Sequence, residues 1–165
     1  MGLTAERLRE VAVYDPATGG WSRPIRVDSR GRKCGGQKLG CDKDGYVVIR
    51  IDYVLYRAVR LAFLYMTGAW PIGEVDHRNT IRNDDRWNNL RDATQGLNNA
   101  NRYKYKNNKV GIKGVVFDKA RHRYKAQITV GGKTRWICNS SCPAAAAFAY
   151  QIEADKAFGS YHRAL

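Results

Sequence analysis

Between Val75 and Arg102 the chain reads VDHRNTIRNDDRWNNLRDATQGLNNANR, an Asp-His dipeptide followed by seven asparagines with no cysteine among them. Hydrolysis of a phosphodiester can use that mixture. It needs a base for the attacking water and a cation for the charge that builds on the phosphate and the leaving oxygen. His77 can be the base, since an unperturbed imidazole is mostly neutral at cellular pH and able to accept a proton. Asp76 beside it can hold the cation. A carboxylate with amide oxygens is a hard donor set, which favours Mg²⁺ bound through few protein groups, with water and phosphate oxygens completing its shell. Mn²⁺ is the expected substitute. TQGLNNANR reads as a helix starting near Thr94, and Asn98 falls in its first turns, where its oxygen could face Asp76. Strand, loop and returning helix would then form a one-metal site.

Other elements must position these residues. LTAERLREVAVY spaces Leu3, Leu8 and Val11 at roughly helical period, with Thr4 available as N-cap. Residues 15 to 45 are rich in Gly, Asp, Lys and Arg; GYVVIRI and YVLY, separated by Asp52, are β-branched and aromatic and read as strands. RAVRLAFLYMTG returns to helical spacing, with Gly68 and Pro71 able to close it. RYKYKNNK, from Arg102, is basic and without periodicity, as a linker is. The expected division is a first domain over 1–102, a linker over 103–110 and a second domain over 111–165.

In the second domain RYKAQITV alternates with the period of a strand. Tyr124, Ala126, Ile128 and Val130 form an apolar face; Arg123, Lys125, Gln127 and Thr129 form a polar, basic one. Gly131-Gly132 is a hairpin dipeptide, KTRWI can pair back as the next strand, and GIKGVVFD supplies another before them. Pro143 suits the first position of a helix and Gly159 its C-terminal cap. That helix would cover the apolar face and leave the basic one open. A three-stranded sheet of this shape can enter the major groove, where Arg and Gln read base edges and Lys meets phosphate. Lys113, Arg121, Lys133 and Arg135 extend the basic face, and Arg86, Arg91 and Arg102 are further DNA contacts expected around the Asp-His motif.

Twenty-nine Lys and Arg against fifteen acids give a formal charge of +14, the footprint of a protein that meets a polyanion. Double-stranded DNA is the expected partner. No stretch approaches the roughly 18 apolar residues of a spanning helix, the start lacks the order of a signal peptide, and Glu6 spoils a myristoylation signal. The expectation is a cytoplasmic protein without membrane association. Reduced thiols are expected for the four cysteines, and the spacings of Cys34 with Cys41 and Cys138 with Cys142 do not favour zinc.

The stretch VDH, a loop of this length, NLR and an Asn-rich helix resembles the HNH homing endonucleases, whose core is a ββα-metal fold. YRAVRLAFLYMTGAWPIGEVDH is similar to the segment before the motif in phage and prophage members. The resemblance implies Asp76 as metal-binding acid, His77 as general base, Asn89 (89 − 77 = 12 residues on) as the residue that ties the loop and orients the histidine, and Asn98 (98 − 76 = 22 residues on) as second metal ligand. It implies products with 5′-phosphate and 3′-hydroxyl ends. Two positions depart from the pattern: Val59 stands where relatives carry His, and Asp85 where Asn is usual. GIKGVVFDKARHRYKAQITVGGKTRW with the Ala-rich helix resembles the ethylene-response-factor type of DNA-binding domain, with Cys138 and Ser140 at positions expected to be glycine and aromatic. The combined expectation is an α+β protein: an HNH core plus a three-stranded antiparallel sheet packed on one helix. It would act as a Mg²⁺-dependent, phage-encoded endonuclease that nicks one strand as a monomer, or cuts both if two copies bind. The alternatives are a DNA-binding regulator that has lost cleavage and, as a third reading, a protein acting on RNA.

Overall fold

The computed structural model describes residues 2–104 and 107–163. It divides into two compact units, Met1–Ala93 and Thr94–Leu165. Both mix helices with small antiparallel sheets, so the chain is α+β.

In the first unit helix α1 (Ala5–Val11) begins where Thr4 Oγ1 accepts a hydrogen bond from Arg7 N at 3.2 Å. Its apolar stripe buries Ala5 and Leu8, and Leu8 is wholly inaccessible. Two short ladders follow: β1 (Val13–Tyr14) with β2 (Trp21–Ser22), and β3 (Arg26–Val27) with β4 (Lys33–Cys34). Two-residue ladders have no periodicity to read, so nothing in the Gly-rich sequence announces them. Strands β5 (Cys41–Lys43), β6 (Tyr46–Ile51) and β7 (Val54–Arg57) form a meander. Asp52 and Tyr53 turn between β6 and β7 with φ of 45° and 67°, so Tyr53 belongs to the turn and not to the strand expected from YVLY. Helix α2 (Ala58–Thr67) ends at Gly68, whose φ of 79° closes it. α2 buries Ala58, Val59, Leu61, Ala62 and Leu64 against Leu8, Ile49, Ile51 and Trp21. Val59 is thus part of the core, where relatives are expected to carry histidine.

The unit ends in a hairpin of β8 (Glu74–His77) and β9 (Leu90–Ala93), joined by a loop that closes with a 3₁₀ turn at Trp87–Asn89. Its entry is anchored from both sides. Arg60 on α2 donates to Gly73 O at 3.0 Å, and Asp92 on β9 accepts from Ile72 N at 3.3 Å and Gly73 N at 3.1 Å.

The second unit opens with helix α3 (Gln95–Asn101), capped by Thr94 through Leu97 N. In the stretch expected as a linker, 105 and 106 lie outside the described residues. Its end is folded, because Asn108 Oδ1 accepts from Val110 N and Gly111 N in an Asx-type turn. Strands β10 (Val115–Asp118), β11 (Arg123–Val130) and β12 (Lys133–Ser140) form the sheet, and helix α4 (Pro143–Phe158) lies on it with Pro143 in its first turn and Gly159 at its cap. Val115, Ala126 and Ile128 pack with Ala146, Ala147, Tyr150 and Ala154. Close approach is enforced at Gly114: φ is +72°, and a Cβ there would come within 2.1 Å of the Tyr150 ring.

Candidate active site

Antiparallel pairing puts Asp76 opposite Arg91 and His77 opposite Leu90. Arg91 donates to Asp76 Oδ2 from Nε at 2.8 Å and Nη2 at 2.7 Å. Both residues are buried, with Asp76 4% and Arg91 7% exposed. Arg91 is therefore a partner of the expected metal ligand inside the fold, which corrects its expected place among the DNA contacts. The physical reason is register: NLR places its arginine directly across the ladder from the aspartate.

His77 is 6% exposed, and its Nε2 lies 2.9 Å from Asp85 Oδ1. Asp85 is itself 2% exposed. The backbone at Asp85 is gripped by the N-terminal segment: Tyr14 Oη donates to Asp85 O at 2.6 Å, and Trp87 N donates to Pro16 O at 3.0 Å. Gly19, at φ +74°, passes so close that a Cβ would lie 2.5 Å from Asp85 C. Burial, and then the neighbouring Asp85, pushes the Tyr14 phenol well above its ordinary range, so it stays a donor.

Asn89 is hydrogen-bonded within the loop through both ends of its amide. Its Nδ2 donates to Asn79 Oδ1 at 3.0 Å and to Asp84 O at 2.7 Å, while its Oδ1 accepts from Asn79 N at 3.0 Å. Asn79 Nδ2 in turn donates to Asp84 Oδ2 at 2.5 Å. Arg86 grips Asp84 from Nε at 2.7 Å and Nη2 at 2.6 Å. Those bonds, first Arg86 and then Asn79, hold the Asp84 carboxyl down at about 2. Three asparagine and aspartate side chains thus replace the secondary structure that the loop lacks.

Next to His77 sits a cationic group that the sequence did not announce. The Tyr46 ring lies 6.3 Å from the imidazole, and the guanidiniums of Arg57 and Arg82 lie over that ring at 4.6 and 5.1 Å. Arg57 and Arg82 are exposed, and Arg82 also donates to Asp44 O at 3.0 Å. Only the fold brings residues 46, 57 and 82 together.

Asn98 lies in the second turn of α3, its N donating to Thr94 O at 2.9 Å. Exposed Arg102 donates to Asn99 Oδ1 at 3.2 Å just past that helix. Lys113 is partly buried and donates to Ala100 O and, at 2.9 Å, to Arg102 O, so it satisfies carbonyls at the end of α3. Burial, with Arg163 nearby, lowers Lys113 to about 8. Its expected role on the DNA face gives way to a capping one.

On the sheet, Arg123, Lys125, Gln127 and Thr129 share one face, and Ala126 and Ile128 are buried on the other. Cross-strand pairing sets Gln127 beside Trp136 and Thr129 beside Thr134, whose Oγ1 atoms are 2.8 Å apart. The register shifts between Ala126 and Gln127, where Ile137 is the extra residue of β12. Beyond that bulge Arg135 lies opposite Ile128, on the helix side, and its Nη2 is 3.1 Å from Glu153 Oε2 on α4. Arg135 is thus turned away from the open face. Lys133 is exposed at the hairpin tip, and Arg121 in the turn before β11. Trp136, 60% exposed on the open face, went unselected in the sequence because the bulge hides which way KTRWI alternates.

Among the described residues Cys34, Cys138 and Cys142 are free thiols, and no group of three or more His, Cys, Asp or Glu side chains is placed to hold a metal. Also among them, no helix is long and apolar enough to cross a membrane.

The strand, the bonded loop and the buried Asp-His pair lie in the segment on which the family comparison falls. The HNH endonuclease family model matches residues 56–100, from the end of β7 into α3. That match supports an HNH nuclease, with a nucleic acid as its substrate. No curated protein and no solved structure matches the chain.

Proposed function

We propose that the protein is a Mg²⁺-dependent DNA endonuclease of the homing, phage-borne kind that nicks one strand as a monomer. One observation carries this: the Asp-His pair inside the segment matched by the HNH family model is buried, with Asp76 paired to Arg91 and His77 Nε2 against Asp85. His77 takes a proton from water, the water oxygen forms a bond to phosphorus, and the bond to the 3′ oxygen breaks. That oxygen leaves and acquires a proton from solvent, giving 5′-phosphate and 3′-hydroxyl ends. Arg57 and Arg82, beside Tyr46, are placed to neutralise phosphate on the approach to His77.

Asp76 and Asn98 are the side chains that would hold the metal. A carboxylate and an amide oxygen are the hard donors that Mg²⁺ takes. Bound there, Mg²⁺ would supply charge neutralisation at the scissile phosphate; Mn²⁺ would substitute. The open face of the C-terminal sheet, with Arg123, Lys125, Gln127, Thr129 and Trp136, would set the address on duplex DNA in the manner of an ethylene-response-factor domain, with Lys133, Arg121, Arg86 and Arg102 as phosphate contacts.

The test is incubation of supercoiled plasmid with the protein and with His77→Ala, with and without Mg²⁺. Nicked circles formed only by the wild type and only with Mg²⁺ are the expected result. Intact plasmid in the presence of salt-sensitive binding by both proteins would replace the nuclease with a DNA-binding regulator.

A further inference from the structure

We propose that Asp85 is a positioning residue for His77, holding the imidazole so that Nε2 carries the proton. The inference deepens the nuclease reading and rests on His77 being its base. A carboxylate oxygen accepts hydrogen bonds, so the 2.9 Å contact between Asp85 Oδ1 and His77 Nε2 makes Nε2 the donor. A carboxylate on one imidazole nitrogen fixes both tautomer and ring orientation, as the aspartate of a catalytic triad does.

Two further observations separate this from a buried residue of purely structural use. Asp85 is 2% exposed, and its second oxygen, Oδ2, is buried with no hydrogen-bond partner among the described residues. A residue kept only for packing would avoid a carboxylate half of which is left unsatisfied. The backbone of Asp85 is pinned by groups from a different part of the chain, Tyr14 Oη on Asp85 O and the close pass of Gly19. The N-terminal hairpin, otherwise far in sequence from the motif, thereby sets the aim of the base.

The experiment combines long-range ¹H–¹⁵N NMR of the His77 ring, in the free protein without metal or DNA, with steady-state nicking by wild type, Asp85→Leu and Asp85→Asn. Wild type shows the Nε2–H tautomer. Asp85→Leu loses that preference, and its kcat falls by about 100-fold with KM unchanged, the size expected when a general base is disoriented. Asp85→Asn can turn either its oxygen or its amide toward Nε2, and kcat follows the tautomer that the spectrum reports. This variant also serves if Asp85→Leu fails to fold. An Nδ1–H tautomer in wild type, or a kcat that ignores the tautomer in both variants, overturns the inference. Because the spectrum needs no cleavage, absence of nicking by wild type bears on the nuclease reading alone.

Discussion

The loop between β8 and β9 and the sheet between β10 and β12 solve opposite problems. The loop and its flanking strands hold charged and amide side chains inside the protein and pair them with one another: Asp76 with Arg91, His77 with Asp85, Asn89 with Asn79 and Asp84. The sheet buries small apolar residues against α4 and leaves its charges in water, where Arg135 and Glu153 meet at the surface. Inside a protein, an unpaired charge or amide costs far more than a trimmed contact at the surface. The first region should therefore fail when one partner is removed, and the second when its shape is changed.

The sharpest break is Arg91→Leu. It strands the Asp76 carboxylate in the interior and should destabilise the first unit by about 3–5 kcal/mol, read as a lowered urea midpoint. Should stability be unchanged, Asp76 is not desolvated and the buried-network description of the loop fails. The second region breaks by volume. Gly114→Ala forces a methyl into the Tyr150 ring at a positive φ and should cost about 3 kcal/mol, visible as a lower Tm of the second unit.

Lys113→Met leaves the Ala100 and Arg102 carbonyls without their ammonium and should cost about 1–2 kcal/mol. The two units also respond to opposite ends of the pH scale. Asp84, lowered to about 2, contributes stability that is complete above its ordinary value near 4 and is lost as pH falls through 2; solvent screening at Arg86 keeps this at about 1 kcal/mol. Lys113, lowered to about 8, binds fewer protons when folded than when unfolded between about pH 8 and 10.5, so stability of the second unit rises across that window. Thermal melts of Asp84→Asn and Lys113→Met should each lose one of these slopes. The smallest effect is that of Arg135→Ala, which removes a solvent-exposed pair and should leave the midpoint where it is; a clear drop would mean that the sheet depends on charge as the loop does.

Much of this architecture was legible along the chain. Thr4 before an amphipathic run, Gly68 after one, alternation in RYKAQITV, the Gly131-Gly132 turn and the Pro143-to-Gly159 bracket are local signals, and each marks the element observed. Asp76, His77 and Asn89 were legible as a spacing. Arg91, Lys113 and Arg135 were legible only as basic residues, and the fold gives each a different use. Arg91 is taken inward by pairing register, Lys113 by a helix end that needs a donor, and Arg135 by a one-residue bulge that reverses the alternation of its strand.

The chain alone, then, determined the helices and the longer strands, which residues could do hydrolytic chemistry and that the charge is strongly basic. All three follow from residue types and from distances along the backbone. Only the tertiary structure decided which charges are buried and with whom. Tyr14, Gly19, Asp85 and His77 have no sequence period relating them, and they meet because a short ladder near the start of the chain closes over the loop that follows the motif. A polar side chain in isolation has no preferred partner; burial makes one obligatory, and burial is a property of the whole fold.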